Sequence, residues 1–144
     1  MTQPALMNEQ PAGERTPRYR RVLVVEDEEP LRRVIARNLT GRGIQVSEAG
    51  TASDAVDAAT TAQYDLLLLD INLPDQTGWE VLRELRRRRS EVPTIVVSAV
   101  RVSQNRLEEF HPVAYLPKPF PIDALLRLVV GSHTPPRDES SDAE

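Results

Sequence analysis

Short, continuously apolar runs alternate along this sequence with stretches whose apolar residues recur at helical spacing. The runs are residues 22–25, 66–69, 94–97 and 113–116. Unbroken hydrophobicity over four residues is what a strand buried on both faces requires, and parallel sheets are where both faces are covered. A fifth segment, Ile44-Gln45-Val46, alternates instead and suits a sheet edge. Between the runs, Leu31, Val34, Ile35 and Leu39 fall on one helical stripe. So do Ala52, Ala55, Val56 and Ala59, and later Ile122, Leu125, Leu126 and Val129. Thr77 and Glu80 have capping-box spacing and open a helix carrying Val81, Leu82 and Leu85. Residues 102–110 form the least regular helix, on Val102, Arg106 and Phe110. Gly41 and Gly43 close the first helix as residues of positive φ. The order is thus β-α five times over, which predicts an α/β fold with a parallel sheet and helices on both faces.

That pattern occupies residues 20–131. Residues 1–19 and 132–144 are polar, proline-containing and aperiodic, and cannot bury enough apolar surface to offset their ordering entropy. They are expected to be a flexible N-terminal arm and a flexible C-terminal tail. The absence of cysteine excludes disulfides and thiolate metal sites. A net charge of −4 argues against direct nucleic-acid binding. The basic run Arg86 to Arg89 is expected to be a solvated helix C-terminus, whose cations favour the negative end of the helix dipole. With neither a signal peptide nor a membrane-length apolar stretch, a cytoplasmic location and no membrane partner are expected.

In parallel sheets of this kind, ligands bind at the carboxyl ends of the strands. Reading off those ends gives Glu26 and Asp27 after the first strand, Asp70 after the third, Ser98 after the fourth and Lys118 after the fifth. The second strand offers Glu48, with no role assigned. Three converging carboxylates repel one another unless a cation lies among them, and hard oxygen donors select Mg²⁺. Lys118 is the only lysine among the 18 basic residues. A compact ammonium reaching a phosphoryl oxygen suits it better than the planar fork of arginine. Asp70 is the available nucleophile, since carboxylates form aspartyl phosphates. The Ser98 hydroxyl can donate to a phosphoryl oxygen.

The segments RVLVVEDEEPLRRVIARNL, YDLLLLDINLPDQTGWEVLRELR, PTIVVSA and YLPKPF together resemble the receiver domain of bacterial two-component response regulators over about residues 20 to 131. The resemblance implies a flavodoxin-like fold with strand order 2-1-3-4-5. It implies that Asp70 is the phosphoacceptor, that Glu26, Asp27, Asp70 and the Asn72 backbone carbonyl serve Mg²⁺, and that Lys118 binds the phosphoryl group. Ser98 and Tyr115 would be the switch pair, and the Lys118–Pro119 peptide would be cis. Two departures stand out. Glu26 replaces the more common Asp, and the stretch between Ser98 and Lys118 is shorter than usual, which bears on the fourth helix.

The expected function is that of a phosphoacceptor domain, charged by a histidine kinase or histidine phosphotransfer protein and signalling through protein contacts as a single-domain regulator. A phosphorylation-linked homodimer is one form such output takes. The domain would catalyse only its own phosphorylation and slow dephosphorylation. The alternative is a phosphorylation-independent binding module on the same fold. A phosphatase of the haloacid dehalogenase type is disfavoured, because it needs a second Asp where this sequence has Asn72.

Overall fold

The computed structural model describes residues 17–131; the two terminal segments expected to be flexible lie outside the described residues, except for positions 17–19. The elements run β1 (Arg21–Val25), α1 (Glu29–Thr40), β2 (Gln45–Ala49), α2 (Ala52–Thr61), β3 (Leu66–Asp70), α3 (Gly78–Arg87), β4 (Thr94–Ser98), α4 (Gln104–Phe110), β5 (Ala114–Pro117) and α5 (Ile122–Val130). All five strands are parallel, in the order β2-β1-β3-β4-β5. The predicted fold is the observed one.

The two faces of the sheet divide the core by the strand period of two. Val22, Val24, Leu66, Leu68, Ile95 and Val97 point to one face, against Ile35 and Leu39 of α1 and Leu125, Leu126 and Val129 of α5. Leu23, Val25, Leu67 and Leu69 point to the other, against the alanines of α2 and Val81 and Leu85 of α3. Every residue of β3 and β4 is buried, as their unbroken apolar runs require. Burying one such leucine stabilises the fold by about 1.5–3 kcal/mol relative to leaving it in water.

Several local expectations need correction. Val34 is 44% exposed, and the buried stripe of α1 is Ile35, Ala36 and Leu39. Gly41 is right-handed, with φ −63°, so of these two glycines Gly43 alone takes positive φ, at 86°. Ile44 precedes β2 and is buried, while Gln45 opens the strand. Val113 lies outside β5 and is half exposed. Thr77 does cap α3 by accepting the Glu80 N–H, but the Glu80 carboxylate turns to Arg83 rather than back to the cap. The fourth helix is short, and Val102 lies outside it. Seven residues capped by Ser103 bury none of their number, so α4 is held largely by the stacking of Phe110 on Trp79 of α3, 5.3 Å between ring centres. Arg86 does more than face solvent: it donates to the Glu109 carbonyl and lies over the Phe110 ring. At the N-terminal end, the Arg18 N–H bonds to the Val130 carbonyl and Tyr19 packs on the core.

Candidate phosphoryl-transfer site

The carboxyl edge of the sheet gathers the predicted side chains because β1, β3 and β5 all end there. Asp70 is the last residue of β3 and Lys118 follows β5 directly, through a cis Lys118–Pro119 peptide. The Lys118 backbone N–H is tied to the Ser98 carbonyl at 2.8 Å, which fixes where its side chain starts. From there Nζ lies 2.9 Å from Glu26 Oε1 and 2.9 Å from Asp70 Oδ2. Asp70 Oδ1 accepts the Asn72 N–H at 2.9 Å, and Glu26 Oε2 accepts the Glu28 N–H at 3.0 Å. Oxygens of Glu26, Asp27 and Asp70 all lie within 4.8 Å of one another. Glu26 and Asp70 are buried, and Asp27 stands at the exposed mouth.

Charge is out of balance here, with three carboxylates against one ammonium. Burial pushes the Glu26 carboxyl up to about 7, against the lowering effects of its bonds to Lys118 and the Glu28 amide. Burial also works to lower the Lys118 ammonium, but its hydrogen bonds to Glu26 and Asp70 outweigh that and hold it above its ordinary value. A partly buried, all-oxygen, anionic site is one that a hard divalent cation fits.

The two expected switch residues stand one loop away. Ser98 is buried at the end of β4, and its hydroxyl donates to the Val100 carbonyl at 2.8 Å while accepting the Val100 N–H. The half-buried Tyr115 donates to the same carbonyl at 3.4 Å. Both hydroxyls thus meet at Val100, and Asp70 takes its hydrogen bonds from Lys118 and the Asn72 amide.

The family model described as a response regulator receiver domain matches residues 22–130. This chain belongs to that family. Among curated receiver-containing relatives, it is 40% identical over 118 residues to the KDP operon transcriptional regulatory protein KdpE of Escherichia coli. That match covers 78% of this chain and 52% of KdpE. It is 34% identical over 111 residues to the probable transcriptional regulatory protein SilR of Salmonella typhimurium, covering 76% of this chain and 49% of that protein. The chain therefore spans about half the length of these two relatives. Among solved receiver structures, the response regulator TrrA from Thermotoga maritima, in complex with Mg²⁺-BeF, superposes with TM-score 0.65 at 29% identity. The match covers 74% of this chain and 92% of that one. The non-phosphorylated HemR receiver domain from Leptospira biflexa gives 0.69 at 30% identity, covering 81% and 98%.

Two further residues of this receiver domain shape the site without having been singled out in the sequence. A side chain at Gly78 would place its Cβ 2.8 Å from the Asp70 carbonyl and 3.0 Å from Ile71. Only glycine allows α3 to start that close to the end of β3. Asp75 reaches across to α2, its carboxylate accepting the N–H groups of Ala52 and Ser53 at 2.8 and 3.0 Å. Those two bonds hold its carboxyl below the ordinary range. The signal for both lay in the LPDQTG segment, where Pro, Asp and Gly mark a tight turn after the strand.

Proposed function

We propose that this receiver domain accepts a phosphoryl group on Asp70 from a phosphohistidine of a histidine kinase or histidine phosphotransfer protein. The observation that carries the reading is the bridge from the Lys118 ammonium to both Glu26 and Asp70, with the Asp27 carboxylate beside them. An Asp70 carboxylate oxygen attacks the phosphorus as the N–P bond of the donor breaks. The electron pair of that bond stays on the imidazole nitrogen, and an acyl phosphate forms. Lys118 leaves its carboxylate partners to meet a phosphoryl oxygen and takes part of the charge that develops in the transition state. The Asn72 N–H holds the Asp70 carboxylate in orientation. Glu26, Asp27, Asp70 and the Asn72 carbonyl would hold Mg²⁺, which supplies charge neutralisation on the transferring group. In the phosphorylated state Ser98 gives up Val100 to donate to a phosphoryl oxygen, and Tyr115 is repositioned with it.

On this reading the domain is not a free-standing enzyme; it catalyses only its own phosphorylation and slow dephosphorylation, in the cytoplasm. Its output passes through protein contacts that the acyl phosphate alters, a homodimer among them. The test is incubation with acetyl phosphate and Mg²⁺ followed by intact-mass measurement. One added phosphoryl group is expected in the wild type, and none in Asp70→Asn or with excess chelator. No gain in the wild type under acetyl phosphate, phosphoramidate or a phosphorylated kinase would leave the phosphorylation-independent binding module as the reading.

A further inference from the structure

Glu48, the strand-end residue left without a role, accepts from Arg32 Nε at 2.9 Å. The same guanidinium donates through its NH1 nitrogen to the Glu26 carbonyl oxygen, also at 2.9 Å. Arg32 is therefore a strut from α1 that joins the end of β2 to the first residue of the acidic loop. Its side chain is only 16% exposed and lies over Gly50, where a Cβ would come within 3.0 Å of NH1. The Glu26 carbonyl belongs to the peptide plane linking Glu26 to Asp27. The N–H of Glu26 is already fixed to the Ala49 carbonyl at 3.0 Å, and its carboxylate to Glu28 and Lys118. With the carbonyl also held, that plane cannot rotate, and the direction in which Asp27 leaves the chain is set.

We propose that Arg32, held by Glu48 over Gly50, is a positioning residue that fixes the Glu26–Asp27 peptide and so presents the two carboxylates to a divalent cation. The proposal rests on the Mg²⁺ reading above, and it assigns a task to a residue that touches neither cation nor phosphoryl group. A guanidinium suits the task because its planar fork makes two directed bonds at once, one to a carboxylate and one to a carbonyl, where an ammonium makes a less directed contact. Removing a partner that orients metal ligands typically costs roughly 10- to 100-fold in metal affinity.

The sign of the effect separates positioning from charge. Arg32 is cationic, so deleting it should tighten Mg²⁺ binding if only Coulomb forces acted. Positioning requires the opposite. The experiment is calorimetric titration of the whole chain with Mg²⁺, alongside thermal unfolding in chelator. Arg32→Met is expected to bind Mg²⁺ roughly 10- to 100-fold more weakly. Arg33→Met, which loses a cation contacting Glu48 at 3.6 Å but no bond to Glu26, is expected to bind at least as tightly as wild type. Gly50→Ala, which leaves every charge in place and crowds the guanidinium, is expected to weaken binding as Arg32→Met does. In acetyl phosphate reactions the apparent Mg²⁺ constant should rise more than the rate at saturating Mg²⁺ falls. Wild-type or tighter Mg²⁺ affinity in folded Arg32→Met overturns the proposal. If that variant fails to unfold cooperatively, unchanged affinity in Gly50→Ala and Arg32→Lys overturns it instead. No Mg²⁺ binding by the wild type sinks the site reading itself, and this inference with it.

Discussion

Lys118 answers two carboxylates with one ammonium, and that pairing makes it testable in isolation. Lys118→Ala leaves Glu26 and Asp70 facing each other without their shared cation, and phosphorylation by acetyl phosphate is expected to slow by roughly 10²- to 10³-fold. As the only lysine, it also carries the only side-chain amine, which peptide-level acylation reports directly. Its folded value is raised above the ordinary 10.5. The stabilisation it gives is therefore complete below 10.5 and is lost as pH rises through the folded value. Losing Asp70 returns part of that shift, so Asp70→Ala should acylate faster at Lys118 than wild type at mildly alkaline pH. An unchanged labelling rate would contradict the pairing. Gly78 is constrained by space alone: Gly78→Ala must push Cβ off the Asp70 carbonyl, at a cost of about 1–3 kcal/mol in a denaturant titration.

At the scale of elements, α4 differs from the other helices because its hold on the domain is lateral. It buries no residue of its own, and the stack of Phe110 on Trp79 is flanked by Arg83 and Arg86 on the Phe110 ring and Arg106 on the Trp79 ring. Such stacking is worth about 0.5–1.5 kcal/mol beyond the area it buries. Phe110→Ala should therefore speed amide exchange in α4 and shift Trp79 fluorescence while leaving the exchange of β3 and β4 slow; equal acceleration throughout would show that α4 is cooperative with the core. The loop before α3 is also an element in its own right. Asp75→Ala should deprotect the Ala52 and Ser53 amides, since its carboxylate is their acceptor. The missed details of α1 have a comparable origin. Val34, Ile35 and Ala36 are consecutive, each turned about 100° from the last. Which two of the three face inward depends on how the helix rolls on the sheet. Helical spacing placed Val34 on the inward stripe, yet the fold turns it outward and buries Ala36 instead.

For the molecule as a whole, β3 is the keystone strand, lying between β1 and β4 with both its faces covered. Leu68→Ala, on the face packed by α1 and α5, is expected to cost about 2–5 kcal/mol in urea unfolding. Far from the site, Asp65 accepts the N–H groups of Arg20 and Arg21, each at 2.9 Å, and so ties the entry of β3 to that of β1. Those bonds hold its carboxyl below 3.8. The stabilisation is present above that value and is lost as pH falls through the folded one, so Asp65→Asn should flatten the acid limb of stability against pH. Among the described residues, no helix is long and apolar enough to cross a membrane.

The fold class was legible in the sequence because burial on two faces leaves an unbroken apolar run, and few architectures bury a strand twice. The acidic pair, Asp70, Ser98 and Lys118 were legible for a related reason: each sits at a strand end, and parallel strands end at one edge. What only the tertiary structure decided was which groups face one another across that edge. Arg32 reads in sequence as one more helical arginine, and Glu48 and Gly50 as an edge strand and its turn. Their meeting depends on the roll of α1 and the register of β2 on β1, which arise from packing the whole core and leave no local trace in residue order. Ser98 was legible from its place at the end of β4 and Tyr115 only through the family resemblance, but their shared acceptor, the Val100 carbonyl, is a backbone atom that any residue type would supply.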